Sequence, residues 1–439
     1  MTRETKKQER LTLNEVIAMG VGGMVGGGIF SVLGLAILQA GHAAPIAFAL
    51  GGIIALLTGF SYASLGIHYQ SNGGSFTFLE HAFENQHIAG IGGWLLLAGY
   101  VGTMALYAFT FGSYGAAMLG GSATVNTNMH HLLQSLIMLV FLSINLYGVK
   151  ASGRSELLMV TIKVLILSLF GIIGFFNAKP DHFFPVFNHG YLGVFMGAAL
   201  IFVAYEGFEL IPNAVNEMEN PIRNLKRGII WSIVITTAIY ILVSLVAVGS
   251  LSAEEVLKYK EYVLAVSAKP MLGQAGFVLI GLAALLSTAS AINATLFGTA
   301  RLGSVMAKEG TLPRVFSSFS RNNHIPWVSL LVITVVTLLF VNFANLTMIS
   351  SFASSTFLLI FAAINLSAFK LRDTINPKAG LLNNTLLPLS GFFLSMISWI
   401  TLMIFLWRTS TDSVIWIVCT YLAIVIAELL LNKHRSILR

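Results

Sequence analysis

Gly20-Val21-Gly22-Gly23-Met24-Val25-Gly26-Gly27-Gly28-Ile29-Phe30 lies in the middle of the first apolar stretch, which runs from about Leu11 to Ala40. Each glycine costs roughly 1 kcal/mol of helix propensity relative to alanine. Gly26, Gly27 and Gly28 are adjacent, which suits an interruption of a helix better than a continuous one. Gly22/Gly26 and Gly23/Gly27 also have the spacing of close helix packing, but packing needs spaced glycines, not consecutive ones. Irregular backbone at membrane depth is tolerated only where it lines a cavity or is buried in protein. The run is therefore the first candidate for a binding site.

The rest of the chain sets that depth. Of 439 residues, 56% are hydrophobic and only 10% charged, with a mean hydropathy of +0.82. Soluble domains carry about 25% charged residues, so the composition reads as an all-α polytopic membrane protein. The first stretch exceeds the h-region of a signal peptide and lacks a convincing cleavage site. The single cysteine, Cys419, offers no intrachain disulfide. The net charge of +7 is accounted for by basic loops on one side of the membrane.

Spans need about 20 apolar residues, and twelve windows qualify: 13–38, 43–66, 89–119, 129–148, 155–176, 190–215, 228–250, 270–300, 325–343, 346–369, 385–407 and 413–431. With the N-terminus inside, nineteen Lys and Arg fall in cytoplasmic segments and five outside, which predicts both termini in the cytoplasm. The 67–88 loop, placed inside, has neither. The expected organisation is a tail over 1–12, five helices over 13–176, five more over 190–369, two additional helices over 385–431 and a tail over 432–439.

All three aspartates, Asp181, Asp373 and Asp412, fall in predicted loops. Four other charges matter more: Lys163 in the fifth span, Glu206 and Glu209 in the sixth, and Glu428 near the end of the twelfth, close to Lys433 and expected at the interface. An ionisable residue inside a span is a functional-site hypothesis by default. Lys163 lies eight residues past Ser155, roughly 12 Å deep. Two roles compete: a permanent brace on backbone carbonyls, or a lysine that gains and loses a proton. In Ala204-Tyr205-Glu206-Gly207-Phe208-Glu209 the glycine among polar groups predicts a second helix break. Glu209 is expected either to bond freed backbone N–H groups or to act in coupling, and Glu206 to face the bundle or accept a substrate's ammonium.

The two breaks are five spans apart. Five is odd, so the second set of five is inverted in the membrane relative to the first. Paired interruptions in corresponding halves point to a transporter's binding site. Half-helix N-termini expose N–H groups and positive dipole ends, which suit a carboxylate; half-helix C-termini expose carbonyls, which suit an ammonium. Together they fit the head of an α-amino acid, and glycine lets a ligand approach bare backbone.

On four stretches the chain resembles the amino acid–polyamine–organocation (APC) transporter family. Gly26-Gly27-Gly28-Ile29-Phe30 resembles its G-[SAG]-G-I-F signature. Asn72-Gly73-Gly74-Ser75-Phe76-Thr77-Phe78 with Gly93-Trp94 resembles its loop and entry to the third helix. Ala204 to Glu209, with Glu217, Asn220-Pro221 and Arg223-Asn224, resembles its sixth-helix pattern. Ala300-Arg301-Leu302, Met306-Ala307, Gly310 and Leu312-Pro313 resemble the stretch after the eighth helix. The resemblance covers nearly the whole chain. It implies twelve transmembrane helices as a 5+5 inverted repeat with discontinuous helices 1 and 6 plus two C-terminal helices, working by alternating access. It also implies a substrate carboxylate on Gly26, Gly27, Gly28 and Ile29, and an amino group on the backbone of Val203, Ala204 and Tyr205. Lys163 matches a lysine of sodium-independent members, which approaches the helix 1 break and hydroxyls of helix 8; Ser287 and Thr288 are the candidates here. The family often has a neutral residue in place of Glu206, so a cationic amino acid or polyamine becomes a candidate substrate. Glu309 replaces an aspartate of the family pattern.

The expected function is secondary transport of an amino acid at the cell membrane, with a proton as coupling ion and lipid as surroundings. Tyr100, Phe202 and Phe208 are expected to gate or line the pocket, with ordinary packing as the alternative. Exchange and polyamine transport are rivals within the class. A channel would need a pore ringed by polar groups. The chain contains no H-E-x-x-H, no G-x-S-x-G and no aspartate in a predicted span, so metal or nucleophilic enzyme chemistry has no evident home; no cofactor and no nucleic acid are expected.

Overall fold

The computed structural model describes residues 10–71, 73–120, 127–148, 153–320, 325–374 and 385–438. Its helices are α1 (Leu13–Met24), α2 (Gly28–Ala40), α3 (Ala44–Tyr69), α4 (Gly74–Phe83), α5 (Gln86–Gly120), α6 (Thr127–Tyr147), α7 (Gly153–Asn177), α8 (Gly190–Leu200), α9 (Pro221–Ser250), α10 (Ala253–Lys258), α11 (Val263–Ser267), α12 (Lys269–Lys308), α13 (Trp327–Phe343), α14 (Leu346–Lys370), α15 (Leu386–Thr409) and α16 (Thr411–Leu438). Among the described residues the only strand-like pairing is an isolated parallel bridge between Leu11 and Met218. There Leu11 N–H donates to Glu217 O at 2.7 Å and Glu219 N–H to Leu11 O at 3.0 Å.

Among the described residues nine helices are long and apolar enough to cross a membrane, or ten if the bent pair Gly190–Leu200 and Phe202–Glu217 forms one span. That tally takes Gly28–Tyr69 as one run and leaves out α13, which has 17 residues. A helix nevertheless occupies each of the twelve predicted windows. The architecture is all-helical and membrane-type.

Burial sorts the helices into an interior and a shell. In α5 and α14, 78% of the apolar window is buried; in α7 and α15 only 33%, and in α16 only 22%. The shell helices turn Leu158, Leu165, Leu169, Ile400 and Ile426 outward, an arrangement suited to hydrocarbon and not to water. α5 lies along α12 and α14, α3 along α9, and α1 along α9 and α7. The two interrupted segments therefore run through the middle of the bundle.

Their local sequences explain the interruptions. Thr12 and Glu15 form a capping box that starts α1. The helix stops at Val25, and α2 resumes at Gly28 with Gly27 at its N-cap and no side chain capping it. α8 ends at Leu200, and the chain tightens into a 3-10 turn over Phe202–Tyr205. Glu206 is then extended, and Gly207 adopts φ +129°, a conformation that L side chains rarely take. A second 3-10 segment, Phe208–Glu217, carries Pro212 inside it, where the missing N–H opposes a regular α-helix. The axis bends by 52° across this break.

Candidate functional site

The two interruptions touch. A Cβ placed on Gly28 would lie 2.7 Å from Ala204 Cα, and one on Gly23 would lie 2.9 Å from Gly207 Cα. The contacts pair 28 with 204 and 23 with 207, so the two segments pass each other in opposite directions. Only glycine allows this approach of backbone to backbone. On the other side of the first break, a Cβ on Gly26 or Gly27 would lie 2.9 Å or 2.6 Å from the Tyr107 ring of α5. The glycine run thus combines a break with close packing.

Nearly every carbonyl of the first break is engaged by a side chain from a surrounding helix. Lys163 on α7, buried, donates through Nζ to Gly22 O at 3.0 Å and Val25 O at 2.7 Å. Ser287 on α12 also donates to Val25 O, with Gly26 O at 3.5 Å. Tyr107 OH donates to Gly23 O at 3.1 Å. Tyr240 OH on α9 reaches both breaks, lying 2.6 Å from Met24 O and 2.8 Å from Ala204 O. A phenol has one proton, so this one is shared between the two carbonyls. Gly27 O accepts from Ser31 N–H at 3.1 Å, inside the second half-helix. The N–H groups in the first turn of α2 have no intrahelical acceptor by helix geometry, and they carry the positive end of its dipole.

The second break carries its own polar groups. Glu209 Oε2 accepts from Gly207 N–H at 2.6 Å, so this carboxyl holds the strained glycine; Tyr100 on α5 stands beside it. Glu206 is 2% exposed. Its Oε1 accepts from Thr103 Oγ1 at 2.5 Å, while Oε2 is buried without a hydrogen-bond partner. Val203 N–H donates to Ser354 Oγ at 2.9 Å, and Tyr205 OH to Phe48 O at 2.5 Å. Phe202 and Phe208 both pack on Phe361 of α14, with centroids 5.6 Å and 5.2 Å apart.

Of the predicted site residues, Gly26, Gly27, Gly28, Val203, Ala204, Tyr205, Glu206 and Lys163 are gathered at or beside the two breaks. Ile29 is fully buried in the first turn of α2. Tyr100 is buried against Phe357. Ser287 reaches the first break, but Thr288 spends its hydroxyl on its own helix, donating to Ala284 O at 2.8 Å and Leu285 O at 3.0 Å. Glu428 is fully buried, facing Gly90 at the start of α5, where the sequence pointed to an interface. In the glycine loop, Asn72 lies outside the described residues; Ser75 bonds Tyr62 OH at 2.7 Å, and Tyr62 packs edge-on against Phe208. Sequence reasoning missed Thr103, Tyr107 and Tyr240. Thr103 and Tyr107 follow Tyr100 at i+3 and i+7, which places all three on one face of α5. Tyr240 left no such signal. Glu156, two turns before Lys163 on α7, also faces Gly22: a Cβ there would lie 3.3 Å from its Oε1.

A family model described as amino acid permease matches residues 11–427. An uncharacterized protein of Methanocaldococcus jannaschii is 33% identical over 431 residues, 97% of this chain and 96% of its own length. An inner membrane transport protein of Escherichia coli is 31% identical, covering 97% of each chain. A branched-chain amino acid permease of Bacillus subtilis is 26% identical over 74% of this chain and 73% of its own.

Proposed function

The chain belongs to the amino acid permease family and is a transporter, not an enzyme; from that premise we propose that it carries amino acids across the cell membrane by alternating access, coupled to protons. The observation that carries this reading is the contact of two buried, oppositely running helix breaks, Gly28 on Ala204 and Gly23 on Gly207. The opposed directions support a 5+5 inverted repeat; within this reading the chain has twelve spans, and the Lys and Arg bias puts both termini in the cytoplasm. The substrate carboxylate meets the N–H groups at Gly26, Gly27, Gly28 and Ile29. Its remainder lies against Val203, Ala204, Tyr205 and Glu206, with Tyr100, Phe202 and Phe208 closing the pocket.

Lys163 is the coupling residue in this reading. As an ammonium it holds Gly22 O and Val25 O and fixes α1 against α7; when it loses its proton those carbonyls lose charge-assisted donors, and α1 is released. Ser287 shares the acceptor Val25 O and Glu209 holds the other break. Substrate binding and proton loss then act on the same backbone, which is what coupling requires. Uptake of a panel of radiolabelled amino acids into proteoliposomes tests the reading, with and without an imposed pH gradient. Gradient-driven accumulation by the wild type and its loss in Lys163→Ala are expected. Intact pH-driven uptake in that variant removes the coupling role, and counterflow without net uptake identifies exchange instead.

A further inference from the structure

The breaks offer an ammonium few unused acceptors. Gly22, Gly23, Met24 and Val25 give their carbonyl oxygens to Lys163, Tyr107, Tyr240 and Ser287. In the second break Val203 O accepts from Glu206 N–H at 3.2 Å, and Ala204 O accepts from Tyr240. Two of the three backbone positions expected to receive the substrate's amino group are thus already engaged. Two carboxylate oxygens are different: Glu206 Oε2 and Glu209 Oε1 are both buried without a hydrogen-bond partner, and a buried acceptor left unpaired is costly. Glu209 already serves Gly207 N–H, which leaves Glu206 as the carboxyl not committed to the backbone of its own break. Glu206 Oε1 is fixed by Thr103, so the carboxyl is held in place and not free to turn away.

We infer that Glu206, oriented by Thr103, receives the α-ammonium of the substrate, adding a charged acceptor beside backbone carbonyls that already carry donors. This rests on the proposed amino acid transport. Position supports the assignment. Glu206 lies between Ala204, which touches Gly28, and Gly207, which touches Gly23, so it runs alongside the first break. Thr103 precedes Tyr107 by four residues, about 6 Å along α5, and the Tyr107 ring packs on Gly26 and Gly27. The first break and Glu206 are therefore met by residues about one helical turn apart on the same face of α5, so a ligand lying along that face can reach the N–H end of α2 with one end and Glu206 with the other. Anchoring at both ends by charge makes the amino acid head the recognised unit and leaves the side chain loosely specified.

The test uses the full-length protein in proteoliposomes, with labelled leucine and labelled lysine as substrates and 4-methylpentanoate, leucine without its amino group, as competitor. Glu206→Gln should raise KM for leucine and lysine alike by roughly tenfold or more, the usual effect of losing a hydrogen bond to a charged group. Thr103→Val, which keeps the carboxyl but frees it to rotate, should raise both by a smaller factor. In the wild type, 4-methylpentanoate should not compete with leucine. Loss of lysine uptake with leucine unchanged assigns Glu206 to the substrate side chain and overturns the inference, as does no change for either. Should Glu206→Gln fail to fold, the wild-type competition still decides: inhibition by 4-methylpentanoate as strong as by unlabelled leucine overturns it. A wild type that transports no amino acid instead defeats the underlying functional reading.

Discussion

The two helix breaks solve the same problem with different chemistry. Around Gly22–Gly27 the exposed carbonyls are held by side chains from four other helices: Lys163, Tyr107, Tyr240 and Ser287. The second break is also held from outside, by Ser354 at Val203 N–H, Tyr240 at Ala204 O and Thr103 at Glu206, but it adds a carboxyl of its own, Glu209, on Gly207 N–H. The first break is braced from outside alone, whereas the second carries two carboxyls in its own segment. A braced break responds when its braces change, through the proton on Lys163 or the position of α7 and α12. A break that carries its own carboxyls responds to what enters beside it. On the proposed reading, the first break combines the coupling lysine with the carboxylate subsite, and the second supplies the carboxyls that meet the rest of the substrate.

The contact between the breaks is the most sensitive point. Gly207→Ala places a side chain at φ +129°, with its Cβ 2.5 Å from Gly23 C. Backbone strain of about 1–3 kcal/mol adds to overpacking of about 1–3 kcal/mol. A loss of about 2–6 kcal/mol is expected, seen as poor yield and early thermal inactivation in detergent. A stable, active Gly207→Ala protein would mean that the breaks do not depend on this approach.

Lys163→Met sharpens the contrast. The thioether fills similar space but leaves Gly22 O without its donor and Val25 O with Ser287 alone. The expected cost is about 1–3 kcal/mol for the orphaned carbonyl, partly offset because no ammonium remains to be desolvated. Thermal inactivation should shift modestly while pH-driven accumulation disappears. Tyr240→Phe comes next. It removes one proton shared by Met24 O and Ala204 O, so about 1–2 kcal/mol is expected, with transport slowed for every substrate alike. A change confined to one substrate would place Tyr240 in recognition instead of in joining the breaks.

What was legible in the sequence follows from the same physics. Three consecutive glycines and a glycine between two glutamates violate the pattern of an apolar spanning helix, so both breaks stand out. Lys163 stands out because a charge at that depth needs a partner. Tyr240, Tyr107 and Thr103 do not, because aromatic and hydroxyl residues are ordinary packing elements in such helices. Their roles depend on which carbonyl happens to face them, and only the packed structure supplies that. The 17 residues of α13 similarly fall short of a span by length alone, although the window that predicted it is continuous and apolar.

Ser287 and Thr288 give the finest test. Both are hydroxyls that the sequence places near Lys163, yet one residue along a helix turns the side chain by about 100°. Ser287 therefore reaches Val25 O, while Thr288 bonds back to Ala284 O and Leu285 O. Removing Ser287 leaves Lys163 as the sole side-chain donor to Val25 O, so Ser287→Ala should cost about 1 kcal/mol and shift the pH dependence of uptake. Thr288→Val removes only a bond to carbonyls that already serve the α12 ladder, and should change stability by about 0.5 kcal/mol or less with the pH profile unmoved. Side-by-side uptake measured across external pH separates the two. Equal shifts would mean that the first break senses the general polarity of α12, whereas a shift in Ser287→Ala alone ties its state to the single carbonyl that Lys163 and Ser287 share.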